Sequence, residues 1–119
     1  MNSACPSDLR LCRADYHNPV HAAALVQLLD AYAQDPAGGG EALSDFAKAN
    51  LAKALAARPQ AFSVLAFVGD QPVGLINCIE GFSTFACRPL VNVHDVAVLA
   101  GFRGQRVGEQ MLALVEQIA

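Results

Sequence analysis

Apolar residues along this chain keep two different rhythms. Leu25, Leu28, Leu29 and Tyr32 recur at helical spacing. Asn18-Pro19 ahead of them is a helix start, with Asn as cap and Pro in the first turn. Pro36 closes that helix at Asp35, because proline disfavours helical backbone in the residue before it. The run Ala37-Gly38-Gly39-Gly40 is too flexible for regular structure. A second helical stripe follows, with Leu43, Phe46, Ala47, Leu51, Ala54 and Leu55, and predicts a helix from Glu41 to Arg58 that Pro59 stops.

The period then changes. Residues 61–68 are apolar on both pleat faces, as in a central strand covered on both sides. Gly69-Asp70-Gln71-Pro72 makes a turn, and Val73–Ile79 reads as the second arm of a hairpin. Residues 81–89 read as a loop, and Asn92–Val98 as another strand. Ala100–Gly104 is a short turn, after which Val107, Met111, Leu114, Val115 and Ile118 line one side of a helix. With a weakly alternating strand at Asp8–Tyr16, the order is β-α-α-β-β-β-α. The fold class is therefore mixed α/β (an α+β sandwich), in one domain over residues 1–119.

Composition adjusts this picture only at its edges. The chain is 54% hydrophobic and 16% charged, with mean hydropathy +0.32. No apolar run reaches the ~18 residues of a membrane helix. The first ten residues, MNSACPSDLR, lack the basic and apolar regions of a secretory signal. A cytoplasmic location without membrane partner is expected. The net charge of −3 offers no basic face for nucleic acid. Cys5, Cys12, Cys78 and Cys87 include no CxxC pair and no histidine at zinc-finger spacing, so no metal is expected and the thiols read as reduced.

The chemistry lies in the strand–turn–helix from Val93 to Gly108. The first turn of a helix has backbone N–H groups without intrahelical partners, and with the helix dipole these form an anion site. Gly104 and Gly108 keep Cβ atoms out of a phosphate's way, and Arg103 adds a forked cation. A phosphate or pyrophosphate ligand follows; the competing structural reading is a glycine that relieves a tight turn beside a solvated arginine. Neither GxxxxGK[ST] nor GxGxxG is present.

This run resembles motif A of GNAT superfamily N-acetyltransferases, a strand ending in valine, a short turn and then R/Q-x-x-G-x-G/A. Arg103 holds its first position and Gly108 its last, while Arg106 replaces the usual middle glycine. The element order matches as well, so the resemblance covers essentially all 119 residues. It implies a GNAT-like, mainly antiparallel sheet and acetyl-CoA as acetyl donor. The backbone at Arg103, Gly104, Gln105, Arg106, Val107 and Gly108 would cradle the pyrophosphate. Val96, Ala97 and Val98 would pair with the pantetheine arm like an added strand, and a strand N–H there would face the acetyl oxygen. The reaction implied is transfer to a primary amine of a small molecule, by direct attack in a ternary complex.

About 0.1% of an amine of pKa near ~10 is neutral at pH 7, so a proton acceptor is useful. His94 and Asp95 are the candidates; strict alternation puts them on opposite faces. For His94 a hydrogen-bonded strand histidine competes equally, and for Asp95 a local structural contact is favoured. Glu80, Phe82 and Phe85 are candidate acceptor contacts, against readings as a solvated strand end and core anchors. The loops Phe82–Arg88 and Asp35–Gly40 are expected to border the acceptor cleft.

The resemblance also implies elements beyond these residues: a fifth strand, a further helix and a tyrosine that protonates the leaving thiolate. The only tyrosines are Tyr16 and Tyr32. The chain thus reads as a fragment of a longer acetyltransferase, ahead of pairing in a homodimer or a natural truncation. Rival functions are an acyl-CoA-binding module without catalysis and a structural domain pairing through its open sheet edge.

Overall fold

The computed structural model describes residues 8–119. Four strands, β1 (Leu9–Arg13), β2 (Ala61–Val68), β3 (Gln71–Ser83) and β4 (Arg88–Val98), form one antiparallel sheet in the order β1-β2-β3-β4. Helices α1 (Pro19–Gln34) and α2 (Asp45–Ala56) follow β1, and α3 (Val107–Ile118) follows β4. The element order read from the sequence is thus the observed one.

The sheet is covered on both faces, which is why β2 has no polar face. On one side Ala24, Leu25 and Leu28 of α1 pack on Leu65, Phe67, Leu75 and Ala97. On the other, Val107, Met111 and Val115 of α3 pack on Phe62, Val64, Ala66, Val73, Ile76 and Cys78. Gly74 permits the closest approach: a Cβ there would lie 2.8 Å from Met111 Cε and 3.1 Å from Val107 Cγ1.

Local chemistry explains most boundaries. The Asn18 side chain accepts from the backbone N–H groups of Val20 and His21, and Pro19 opens α1. The end at Gln34, with extended Asp35 before Pro36, is the expected one. Helix α2 begins at Asp45 rather than Glu41, because Ser44 Oγ accepts from Ala47 N–H at 3.1 Å and caps it there. Its expected stripe is only half right: Leu51 and Leu55 pack inward, while Phe46 is 77% exposed.

The largest correction concerns residues 81–89. They are not a loop. β3 and β4 continue as a hairpin to Ser83 and Arg88, with Phe82 opposite Pro89, and only residues 84–87 turn. Cys87 closes that turn at φ 54°.

Candidate active site

The β4–α3 connection builds the site. Leu99 donates its N–H to the carbonyl of Val73 at 2.9 Å, so Leu99 faces β3. Antiparallel ladders alternate, which directs the backbone groups of Ala97 to β3 as well and those of Val96 and Val98 to the open edge. The Val98 carbonyl there accepts from Arg103 Nε at 3.0 Å. Of the three residues expected to pair with a pantetheine arm, Val96 and Val98 present backbone groups outward. Ala97 spends its own inside the sheet.

A short 3-10 turn, Ala100–Phe102, leads to Gly104 at φ +81° and Arg106 at φ +65°. Arg106 is the cap residue of α3 and contributes no side-chain capping bond. The first intrahelical bond runs from Gln110 N–H to the Arg106 carbonyl, so the amides of Val107, Gly108 and Glu109 have no intrahelical acceptor. They border an open cavity of about 660 Å³ lined by Val98, Phe102, Arg103, Gly104, Arg106, Val107, Gly108 and Glu109. A Cβ built on Gly104 or Gly108 meets no atom within 4 Å. The glycines therefore leave space for a ligand rather than for a neighbouring side chain. Gln105 Nε2 donates to the Gly101 carbonyl at 3.2 Å and braces the turn.

The charges are arranged in pairs. Arg103 forms a 3.2 Å ion pair with Asp35 at the end of α1, and Arg106 pairs with Glu109 at 2.9 Å. Glu109 brings a carboxylate to the cavity rim, which the Arg106 guanidinium offsets. A second cavity of about 230 Å³ lies on the α1 side, lined by Leu28, Ala31, Tyr32, Asp35, Ala97, Val98, Leu99, Ala100 and Arg103. Arg103 and Val98 border both cavities.

The left-handed backbone at Arg106 accounts for the glycine usual at that place in the motif. A side chain in this region costs about 1–2 kcal/mol. Arg106→Gly is therefore expected to raise unfolding stability by about 1 kcal/mol in urea titration; a loss of stability would mean that the exposed pair with Glu109 outweighs the strain.

The proton-acceptor candidates sit at an irregularity. Asn77 pairs with Asp95 but Cys78 pairs with Val93, so His94 is the extra residue of a β-bulge. The alternation that separated His94 from Asp95 is interrupted there. His94 is exposed and Asp95 half-buried. Asp95 Oδ2 accepts from Asn77 Nδ2 at 3.1 Å. Asn77 Oδ1 accepts from Ser63 Oγ at 2.6 Å, and Ser63 Oγ lies 2.8 Å from the Tyr16 hydroxyl. Burial pushes the Tyr16 hydroxyl above its usual pKa range, ahead of the opposing hydrogen bond to Ser63. Sequence reasoning missed this row, although Ser63 and Asn77 are polar residues inside apolar strands.

Glu80, Phe82 and Phe85 are not brought to this turn. Glu80 lies opposite Val91, seven residues up β4 from Val98, or roughly 23 Å along the strand. Glu80 is exposed, Phe82 is 58% exposed, and Phe85 stands fully in solvent. Of the two loops expected at the acceptor cleft, Asp35 reaches Arg103. His21 is structural: its Nδ1 accepts from Asp15 N–H at 2.9 Å, and its Nε2 lies 3.9 Å from Cys12 Sγ. Cys12, Cys78 and Cys87 are free thiols, the first two raised in pKa by burial; Cys5 lies outside the described residues. Among the described residues no three acidic, histidine or cysteine side chains cluster to hold a metal. No helix among them is long and apolar enough to cross a membrane.

The sequence profile of the Acetyltransferase (GNAT) family matches residues 22–119. The chain belongs to this family. Its fold is shared by an aminoglycoside acetyltransferase from an uncultured soil metagenomic sample, crystallised with trehalose (18% identity, TM-score 0.74, 93% of this chain and 69% of that one). It is shared by an integron cassette protein from the mobile metagenome of V. cholerae (20% identity, TM-score 0.75, 96% and 69%). The ribosomal-protein-alanine N-acetyltransferase of Brucella melitensis biovar Abortus also has it (16% identity, TM-score 0.72, 92% and 70%). At these identities the likeness is one of fold. Curated proteins gave no match.

Proposed function

We propose that this chain binds acetyl-CoA at the β4–α3 turn and serves transfer of the acetyl group to a primary amine of a small molecule, by direct attack in a ternary complex. The observation that carries this reading is the open cavity at the α3 N-terminus, where helix-end amides and two glycines with empty space above them meet Arg103. A diphosphate fits that donor set. The chemistry that acetyl-CoA would supply when bound is an acetyl group activated as a thioester: the C–N bond of the amide forms as the C–S bond breaks, and the proton lost by the amine balances the departing thiolate as free thiol.

The chain's own residues divide the work. Amides of Gly104 to Gly108, with Arg103, hold the pyrophosphate. The outward N–H groups of Val96 and Val98 orient the pantetheine arm and the acetyl oxygen. His94 and Asp95, on the same strand, take the amine proton.

Calorimetry with acetyl-CoA, followed by thiol release with a panel of small primary amines, tests the reading. Micromolar binding with amine-dependent thiol release is expected. Absence of binding would sink the cofactor site. Binding without release from any amine would leave an acyl-CoA-binding module.

A further inference from the structure

A polar row crosses the sheet where an apolar one would be expected. Ser63, Asn77 and Asp95 are direct cross-strand partners on β2, β3 and β4. Ser63 is fully buried and Asn77 is 8% exposed. Their flanking positions Leu65, Leu75 and Ala97 belong to the core beneath α1 and α2, so the row lies on that face. Apolar side chains at 63 and 77 would fill a sheet interior without needing partners. The row instead delivers one oriented donor to one carboxylate.

The direction of its hydrogen bonds is determined. Ser63 has a single hydroxyl proton, and it goes to Asn77 Oδ1. The Tyr16 hydroxyl must then be the donor to Ser63 Oγ, as the 2.8 Å contact allows. With its oxygen engaged, the Asn77 amide turns only N–H toward Asp95. The row cannot pass a proton, because an amide interrupts it. Its effect is geometric: it pins Oδ2 of Asp95 from beneath the sheet. The bulge at His94 re-aims β4 at the same point, and among the described residues no such side-chain contact is made at Glu80, the other acidic candidate, which is exposed on the far part of β3.

We infer that Asn77 is a positioning residue that holds the Asp95 carboxylate as the contact for the acceptor's ammonium, with Ser63 fixing the Asn77 amide. This rests on the acetyl-transfer function proposed above. It assigns the acceptor's cationic end to the α1 side of β4, and not to the tip of the β3–β4 hairpin.

The test compares Asn77→Leu, Asp95→Asn and their double variant in the full chain. Thiol release is measured with 1,4-diaminobutane, tyramine and glycinamide, and acetyl-CoA affinity by calorimetry. Asp95→Asn and Asn77→Leu should each lower kcat/KM for the amine at least about tenfold, with KM raised in both and kcat lowered besides in Asp95→Asn, which also loses a proton acceptor. Acetyl-CoA affinity should stay within about twofold. The double variant should be no worse than Asp95→Asn alone, since both remove one contact. Leu55→Ala, a partly buried side chain packed against the core on the same face, supplies a destabilised variant whose amine KM should not change. Additive losses, or an Asn77→Leu variant that melts earlier but keeps its amine KM, would overturn the inference. So would a wild-type chain that binds acetyl-CoA but acetylates none of the amines, an outcome that leaves the cofactor site standing. Failure to bind acetyl-CoA at all would remove the function itself and the inference with it.

Discussion

Arg103→Glu is expected to weaken acetyl-CoA binding roughly thirtyfold. Arg103 borders the cavity at the α3 N-terminus, and its guanidinium is oriented by the Val98 carbonyl and by Asp35. Two contacts leave further N–H donors of the five-donor fork for a diphosphate. A charge-assisted bond contributes about 1.5–3 kcal/mol, and about 2 kcal/mol corresponds to roughly thirtyfold. Reversal also sets a carboxylate beside Asp35. The fold should survive, because the lost ion pair is solvent-exposed and such pairs contribute little. Calorimetry with circular dichroism on the same sample separates the two effects. Affinity within threefold of wild type would show that the helix-end amides bind the diphosphate without this side chain.

Met111→Ala should cost about 2–5 kcal/mol of unfolding stability. Met111 has no exposed surface and lies against Gly74 in the layer between α3 and the sheet. Its removal opens a void that the glycine opposite cannot fill. For a domain of marginal stability this is a large fraction of the total, and thermal unfolding should fall by roughly 10 °C or more. Leu112→Ala, one position away but 42% exposed, should change stability by less than about 1 kcal/mol. Equal effects at 111 and 112 would mean that α3 is not docked by this face. Because the same helix presents the N–H groups of the proposed cofactor site, Met111→Ala should also weaken acetyl-CoA binding as the helix loosens.

Much of this was legible in residues alone, for identifiable reasons. Apolar periodicity located the three α-helices and four strands, since the burial that selects the period is the burial that forms the core; it did not locate the 3-10 turn at Pro36–Gly38, in a run expected to be too flexible for regular structure. Val107, Met111 and Val115, read as one stripe, are the buried face of α3. The proposed anion site was legible because Gly104 and Gly108 act through backbone geometry that a few consecutive residues determine, with the Arg103 side chain beside them. The hairpin end was misread because Gly81, Pro89 and small polar residues resemble a loop, whereas pairing of Phe82 with Pro89 and Ser83 with Arg88 comes from the neighbouring strand.

By itself, then, the sequence determined the α/β class, the element order and the strand–turn–helix that points to GNAT chemistry, all of which rest on contacts between near neighbours in the chain. Only the tertiary structure decided how distant residues meet. It joined Arg103 to Asp35 across 68 positions, and linked Tyr16, Ser63, Asn77 and Asp95 in one row. It put a bulge at His94, because strand register is a property of two strands and no single strand's pattern contains it.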